Sequence, residues 1–452
     1  MSQVPAQTTH QCDVMVVGGG PGGSTASAFL TMKGWDVVMV DKVHHPRFHI
    51  GESMLPKFMP IIDKLGLNEE VHRIGIPKPG ADFNAPSGAP KRHDFFFANA
   101  IDKKDPYAFE VRRSEFDELL FRTSAKKGTR AFEGVKVTEV EFRPRIGKQP
   151  QTTLVHVSTE QGEQQVWECR YFVDASGRDT FLANKYAIKR KNPKHASAAI
   201  FGHFHDVDRR PGENSGNISV YWFEHGWFWM IPLKDGTMSM GAVCAPEYLK
   251  ARDCPPQEYL WRTFKLAPEE MQHRIRNAKN VNEVRATGNY SYQCSRMYGD
   301  GWLMVGDAYA FIDPIFSSGV LMAMTNGMHA ADVVDAILRG APGTEAMLRR
   351  YQKRVAKGVE TFSWFIERFN TPGLRALFLK PGNPLRIEEA VTSVLAGDVY
   401  GNPQVDWRLN CFKILYYIVS LSEWRAASAA LRKRMRNARI FFTGGTTEVD
   451  IA

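Results

Sequence analysis

The residues of this 452-residue chain best suited to hold a ligand are three glycines and an aspartate. Gly18, Gly20 and Gly23 follow the apolar run 13–17 (DVMVV) and lead into STASAFLTMKG, which has helical spacing. In a strand, turn and helix, the first glycine permits the tight turn and the second lets backbone approach a pyrophosphate. The third lets helix and strand pack, while the helix N-terminus faces the phosphate charge. Asp41 closes the next apolar run, 36–40 (DVVMV), where a carboxylate can take ribose hydroxyls. Three spaced glycines recur by chance; the surrounding strand, helix, strand and acid make them a dinucleotide fingerprint. A second stretch, EHGWFWMIPLKDG (224–236), sets Trp227 and Trp229 two apart. On a strand such residues share a face. The two indoles then serve either as aromatic core or as the wall of a site.

Positioning these residues requires a sizeable fold, and the composition permits one. Hydrophobic residues at 43% and charged residues at 24% are ordinary for a globular chain and exclude disorder or a fibre. No apolar run approaches the roughly 18 residues of a membrane span, and the polar start MSQVPAQTTHQ lacks a signal-peptide core. A soluble, cytoplasmic protein is the expectation. Cys12, Cys169, Cys244, Cys254, Cys294 and Cys411 form no C-x-x-C pair and suggest reduced thiols without a metal. The net charge of +9 suits an anionic partner, but it is spread without the aromatic interleaving of a nucleic-acid binder.

Along the chain, 13–41 forms a βαβ unit, parallel and right-handed. Residues 51–110, rich in Gly and Pro, are expected to wrap a site as loops, and 114–127 reads as a helix capped by Ser114. Alternating runs between 152 and 245 (TTLVHVST, SAAIFGHF, ISVYWF, WFWMIPL, TMSMGAV) predict an antiparallel second lobe. A buried strand at 301–306 precedes the apolar helix VLMAMTNGMHAADVVDAIL, and 345–440 is mainly helical with turns at 380–385 and 400–404. CFKILYYIVSL (411–421) reads as a buried helix, being too short to span a membrane.

Two later segments, YFVDASGR (171–178) and GWLMVGDAYAFIDP (301–314), resemble in order and position the Asp-x-x-Gly and Gly-Asp motifs of FAD-dependent aromatic monooxygenases. That resemblance implies FAD, with Asp307 on its ribityl chain and with Arg113, in VRRSEFD (111–117), and Arg47, in PRFHIGESMLP (46–56), beside it. It also implies the fold: α/β, a Rossmann-like FAD-binding domain at 10–340 with an interleaved antiparallel substrate lobe (about 75–110 and 185–290), and a helical region at 341–452. No second glycine fingerprint marks a separate NAD(P)H domain.

Trp-x-Trp-x-Ile-Pro (227–232) resembles the signature of flavin-dependent halogenases, which makes Trp227, Trp229, Ile231 and Pro232 a partition between flavin and substrate. The Gly-Glu-Ser stretch and IPKPGA (76–81) resemble the phenol and pyrrole branch of that family, in which the lysine matching Lys78 is catalytic; Lys57 falls outside the pattern and reads as surface. FIDPIFSSG (311–319) resembles the family's halide loop and implies chloride or bromide on the amides of Ser318 and Gly319. Phe316 stands in the substrate pocket where tryptophan halogenases carry a glutamate. A phenol or pyrrole, activated by its own heteroatom, is therefore favoured over free tryptophan.

The implied reaction uses FADH2 from a separate flavin reductase, oxygen and halide, and directs hypohalous acid through Lys78 to an aromatic ring, free or tethered to an acyl or peptidyl carrier protein. The basic stretch 424–439 (WRAASAALRKRMRNAR) reads as a solvated face or as the docking site of an acidic carrier. Two rival readings are an aromatic hydroxylase on the same fold and a non-catalytic flavoprotein that docks in a biosynthetic assembly.

Overall fold

The computed structural model describes residues 9–86, 91–143, 151–193, 195–288 and 291–422, together with 428, 432 and 435. Strand β1 (Thr9–Val17), helix α1 (Pro21–Met32) and strand β2 (Val37–Asp41) form the βαβ unit, with Val14 beside Val37 in parallel register. The other edge of β1 runs parallel to Gln164–Asp174, which in turn runs parallel to Trp302–Met304. These strands end at the same edge, which gathers the glycine turn, Asp41, the loop after Asp174 and the loop after Met304. In open parallel sheets ligands bind at that carboxyl edge. Every residue of β2 is buried, as befits a parallel strand covered on both faces.

The run TTLVHVST does not join the second lobe. As Thr152–Thr159 it pairs antiparallel with Gln164–Asp174 and with Val135–Arg143, extending the first sheet. Alternation reveals a half-covered strand but not its partner. The helix after residue 112 spans Arg113–Lys126 and has no side-chain cap; Ser114 lies inside its first turn. The segment expected as loops also holds helices Met59–Leu65 and Asn68–Ile74 and strand β3 (Gly75–Lys78), which pairs antiparallel with Ala108–Val111.

The second sheet runs Lys279–Asn280, Ala198–His205, Met238–Cys244, Gly226–Pro232, Ile218–Phe223, Gly80–Asn84, Arg92–Phe96. Its neighbours are antiparallel except where Ile218–Phe223 runs parallel to Gly80–Asn84. Period-two alternation sorts its faces into different cores. Val220, Trp222, Trp227, Trp229 and Ile231 face the main core, whereas Tyr221, Phe223, Phe228 and Met230 pack with Leu260, Phe264 and Met271 of two short helices. Covered on both sides, the strand reads as the unbroken apolar run GWFWMIP.

The C-terminal region contains helices Thr344–Ile366, Pro372–Leu379, Ile387–Leu395 and Pro403–Ser422. The stretch CFKILYYIVSL is not fully buried. Phe412 and Tyr416 pack inward, but Ile414, Tyr417, Ile418 and Leu421 are 60%, 50%, 57% and 72% exposed, because among the described residues no element covers that side. Among the described residues no helix is long and apolar enough to cross a membrane, and no His, Cys, Asp and Glu cluster could hold a metal. The basic stretch 424–439 lies outside the described residues apart from three positions.

Candidate active site

A cleft of about 1130 Å3 opens at the carboxyl edge of the parallel strands, and Gly18, Gly20, Asp41, Arg47, Arg113 and Asp307 all line it. The glycine spacing follows from contact. Gly18 has φ of +98°, and a Cβ there would stand 2.3 Å from the carbonyl oxygen of Ala175. At Gly23 a Cβ would stand 1.9 Å from the Gly18 carbonyl, so helix and turn can close only on a bare backbone. Gly20 sits at the N-cap of α1 with only the Arg47 guanidinium near its missing side chain, leaving its backbone open to the cleft.

Asp41 holds this turn: its carboxylate accepts from the Gly19 amide at 2.8 Å and the Val43 amide at 3.1 Å. Each oxygen keeps a lone pair that a ribose hydroxyl can use. Arg113 donates twice to Asp117, at 2.7 and 2.9 Å, and once to the Ile50 carbonyl at 2.9 Å. Burial works against the charge on Asp117, but Arg113 outweighs it and keeps the carboxyl below its ordinary range. Arg47 shares Asp117 at 3.4 Å. Asp307 is different. Burial pushes its carboxyl up to about 6, while Arg178 and Arg113 pull it the other way. Spare acceptor capacity beside a long cleft suits the hydroxyls of a flavin's polyol chain, so glycine turn, acids and arginines together fit FAD.

One side of the cleft is the second sheet. Trp227 and Trp229 lie on one face with ring centroids 5.9 Å apart, and both line the cleft with Ile231. Trp229 donates to Ser239 Oγ at 3.3 Å. Its ring crosses Gly241 on the next strand, where a Cβ would stand 2.5 Å from the indole. Pro232, expected in the partition, does not line the cleft: strand alternation turns it to the opposite face.

Helix Ser318–Leu338 begins at the cleft. Ser317, at φ of +55°, turns the chain so that Ser317, Gly319 and Val320 line the opening. The Ser318 and Gly319 amides fall in the first helical turn and have no intrahelical acceptor. Ser318 Oγ is buried without a partner, and a Cβ on Gly319 would meet nothing, so space lies in front of these donors. Such an end can hold a small anion. Phe316, one turn earlier, was expected in the substrate pocket but does not line the cleft. It points into a ring cluster of Phe365, Phe369 and Phe378 at 6.0, 5.8 and 6.3 Å, and Phe369 reaches Trp227 at 6.4 Å.

Lys78 does not line the cleft either. It ends β3 at 1% exposure, donates to Ser53 Oγ at 2.7 Å and the Met54 carbonyl at 2.9 Å, and lies 5.2 Å over the Phe97 ring. Burial lowers its pKa, with Glu110 acting in the opposite sense. Ser53 lines the cleft, so a single hydroxyl links Lys78 to it. Lys57 is half-buried rather than a free surface cation, because Asp102 and Asp105 hold it. Sequence reasoning quoted the Gly-Glu-Ser stretch without choosing residues in it. Glu52 in fact accepts from His203 Nε2 at 3.0 Å at the cleft wall, and Asn282 donates to His203 Nδ1 at 2.8 Å, which fixes that tautomer. Arg178, which donates to the Gly288 carbonyl at 2.9 Å and lies over the Phe311 ring, was also missed. Charge and local spacing alone do not single out either group.

The FAD binding domain family model matches residues 11–363. A flavin-dependent halogenase of Armillaria mellea is 34% identical over 360 residues, covering 75% of this chain and 69% of that protein. A tryptophan 2-halogenase of Chondromyces crocatus is 34% identical over 357 residues, covering 77% and 66%. A pyrrole-2-carbonyl peptidyl-carrier-protein chlorinase of Pseudomonas fluorescens is 27% identical over 420 residues, covering 88% and 91%. Among solved structures, the myxobacterial chondrochloren halogenase superposes with a TM-score of 0.73 at 26% identity, covering 91% of this chain and 97% of that one. These likenesses run well past the glycine turn, through the tryptophan strand and the helix behind it, and the chain therefore belongs to the flavin-dependent halogenases, oxidoreductases that work with reduced FAD, oxygen and chloride or bromide.

Proposed function

We propose that this halogenase chlorinates or brominates a phenol- or pyrrole-type ring, using hypohalous acid that Lys78 directs. The observation that carries this reading is a buried lysine amine, one hydroxyl removed from the wall of the cofactor cleft. Desolvation favours a neutral amine, which can hydrogen-bond hypohalous acid or take its halogen. In this reading halide rests on the Ser318 and Gly319 amides. Gly18, Gly20, Gly23, Asp41, Arg47, Arg113 and Asp307 hold FAD, and Trp227, Trp229 and Ile231 keep flavin and substrate apart.

Phe316 sits among phenylalanine rings and its own side chain can take no ring proton, which favours a ring activated by its own heteroatom. Halogenation at position 2 of tryptophan, named for one relative, also falls on a pyrrole-ring carbon and is compatible with this preference. A relative named for a carrier-bound pyrrole supports a tethered substrate, with the basic stretch 424–439 as the surface for an acidic carrier. In this reading a separate flavin reductase supplies the FADH2.

The test supplies photoreduced FAD, oxygen and bromide or chloride, with phenols, pyrroles and tryptophan, free and carrier-bound, to wild type and Lys78→Ala. Halogenated product from wild type alone supports the proposal. Hydroxylated product from both would replace it with the hydroxylase reading.

A further inference from the structure

Behind Lys78 lies a second buried ionisable group, Glu110, with no solvent exposure. In the pairing of β3 with Ala108–Val111, Ile76 opposes Glu110 and Lys78 opposes Ala108, so Lys78 and Glu110 project from the same face, one step apart on the diagonal. On its other side Glu110 bridges Ser53. Ser53 Oγ accepts from Lys78 Nζ at 2.7 Å and donates to Glu110 Oε1 at 3.2 Å. A hydroxyl carries one proton, so these contacts form a directed chain from lysine through serine to carboxyl. Glu110 Oε2 is buried without a partner, and a carboxylate left so exposed to a dry interior is costly.

We propose that Glu110 exchanges a proton with Lys78 through Ser53 and supplies the acid and base function for which Phe316 offers no carboxylate. This inference rests on the reading of Lys78 above. Glu110 touches no substrate and is a positioning residue whose contribution is a proton. At rest the proton is on Glu110 and the Lys78 amine is neutral. The Ser53 hydroxyl turns to accept from Glu110 and donate to the neutral amine, the reverse of the resting contacts. A proton thereby passes to Lys78, which gives one to the oxygen of hypohalous acid as its oxygen–halogen bond breaks. The halogen, leaving the bonding pair on oxygen, joins the ring carbon, and the oxygen departs as water. The ring C–H bond then breaks and its electrons restore aromaticity. Lys78 takes that proton and returns it through Ser53 to Glu110. Ring plus hypohalous acid becomes haloarene plus water, with both residues unchanged.

The charged groups facing this pair are few. Glu110 faces Lys78 and Glu52, and Glu52 is tied to His203 and lies near Arg113. Burial, partly offset by Lys78, pushes the Glu110 carboxyl up to about 8, which keeps it protonated at neutral pH.

Difference infrared spectra of carbon-13-glutamate protein test this without flavin or turnover. Wild type at pH 7 should show a protonated-carboxyl stretch that disappears as pH rises through about 8. Glu110→Gln should lack the band, and Ser53→Ala should keep it. In the photoreduced assay, Glu110→Gln should lower kcat about 100-fold with substrate KM unchanged, and Ser53→Ala should follow it. The high-pH loss of wild-type activity should move to lower pH in Glu110→Gln, because Lys78 loses its neighbouring anion; Glu110→Asp should recover part of the rate. An absent band in wild type, or a Glu110→Gln enzyme with wild-type rate and pH profile beside an inactive Lys78→Ala, overturns the proposal alone. Full halogenation by Lys78→Ala overturns the lysine reading, and this inference with it.

Discussion

The cofactor cleft and the chamber around Lys78 meet at Ser53, yet they manage polarity in opposite ways. In the cleft, backbone amides and matched charges do the binding: Asp41 is tied to two amides and Arg113 to Asp117, leaving further capacity for a ligand. In the chamber, an amine and a carboxyl are buried, joined by one serine, with the amine over the Phe97 ring. The cleft is a binding device whose charges, Asp307 apart, are paired before the ligand arrives. The chamber keeps ionisable groups close to neutrality, the condition in which small changes shift protons.

The comparison breaks most severely if Lys78 proves to serve the cleft. Lys78→Ala should lower halogenation on the order of 1000-fold while FAD affinity stays within about twofold, read by product analysis and flavin fluorescence titration. A parallel loss of FAD binding would merge the two regions. The reverse experiment is Gly23→Val. A side chain built where a Cβ already stands 1.9 Å from the Gly18 carbonyl should cost about 3 kcal/mol and about 100-fold in FAD affinity. The Glu110 infrared band should be unmoved.

Asp307 offers a finer test, because it is the one cleft acid described above whose burial is incompletely compensated. Its folded pKa is raised from 3.8 to about 6, so its contribution to stability is fully present below pH 4 and lost as pH rises through about 6. The FAD-free Asp307→Asn protein should therefore melt above wild type at pH 7.5, by an amount equivalent to at most about 3 kcal/mol, and match it near pH 4. The same variant should bind FAD more weakly. A variant that gains neither stability nor a changed pH dependence would show that Asp307 is compensated like Asp41.

How much of each region was legible follows from what positions it. The cleft could be read because it is built locally: Gly18, Gly20 and Gly23 lie within one turn, and Asp41 ends the very next strand. Trp227 and Trp229 could be placed on one face because strand alternation is a local rule. Pro232 and Phe316 lie off the cofactor cleft, which the sequence did not show, since membership of a motif does not say which way a side chain points. Glu110 escaped notice altogether. Nothing near it in sequence distinguishes it from a surface glutamate, and only the pairing with Ser53 and β3, which lie far away in the chain, buries it beside Lys78. The second half of Pro403–Ser422 erred the other way: its apolar residues gave no sign that one side would stand exposed among the described residues.

The smallest effect concerns the wall itself. Trp229 fits because Gly241 leaves room for its six-membered ring, so the indole can be altered from either side. Trp229→Phe keeps an aromatic ring, removes the bond to Ser239 and opens a gap toward the cleft, costing about 1–2 kcal/mol in stability. Gly241→Ala instead sets a methyl 2.5 Å from the indole, and also 2.5 Å from Phe201 Cβ and 2.6 Å from the Ile200 carbonyl oxygen, so it strains the strand pairing together with the ring. If the wall keeps flavin-bound oxygen from the substrate, Trp229→Phe should yield a few per cent of hydroxylated product, read by mass spectrometry, while Gly241→Ala slows turnover without it. If the indoles are only packing, both variants should lower the melting temperature and neither should change the halogenated share of product. The contrast between the two substitutions, rather than either alone, separates a partition from a core.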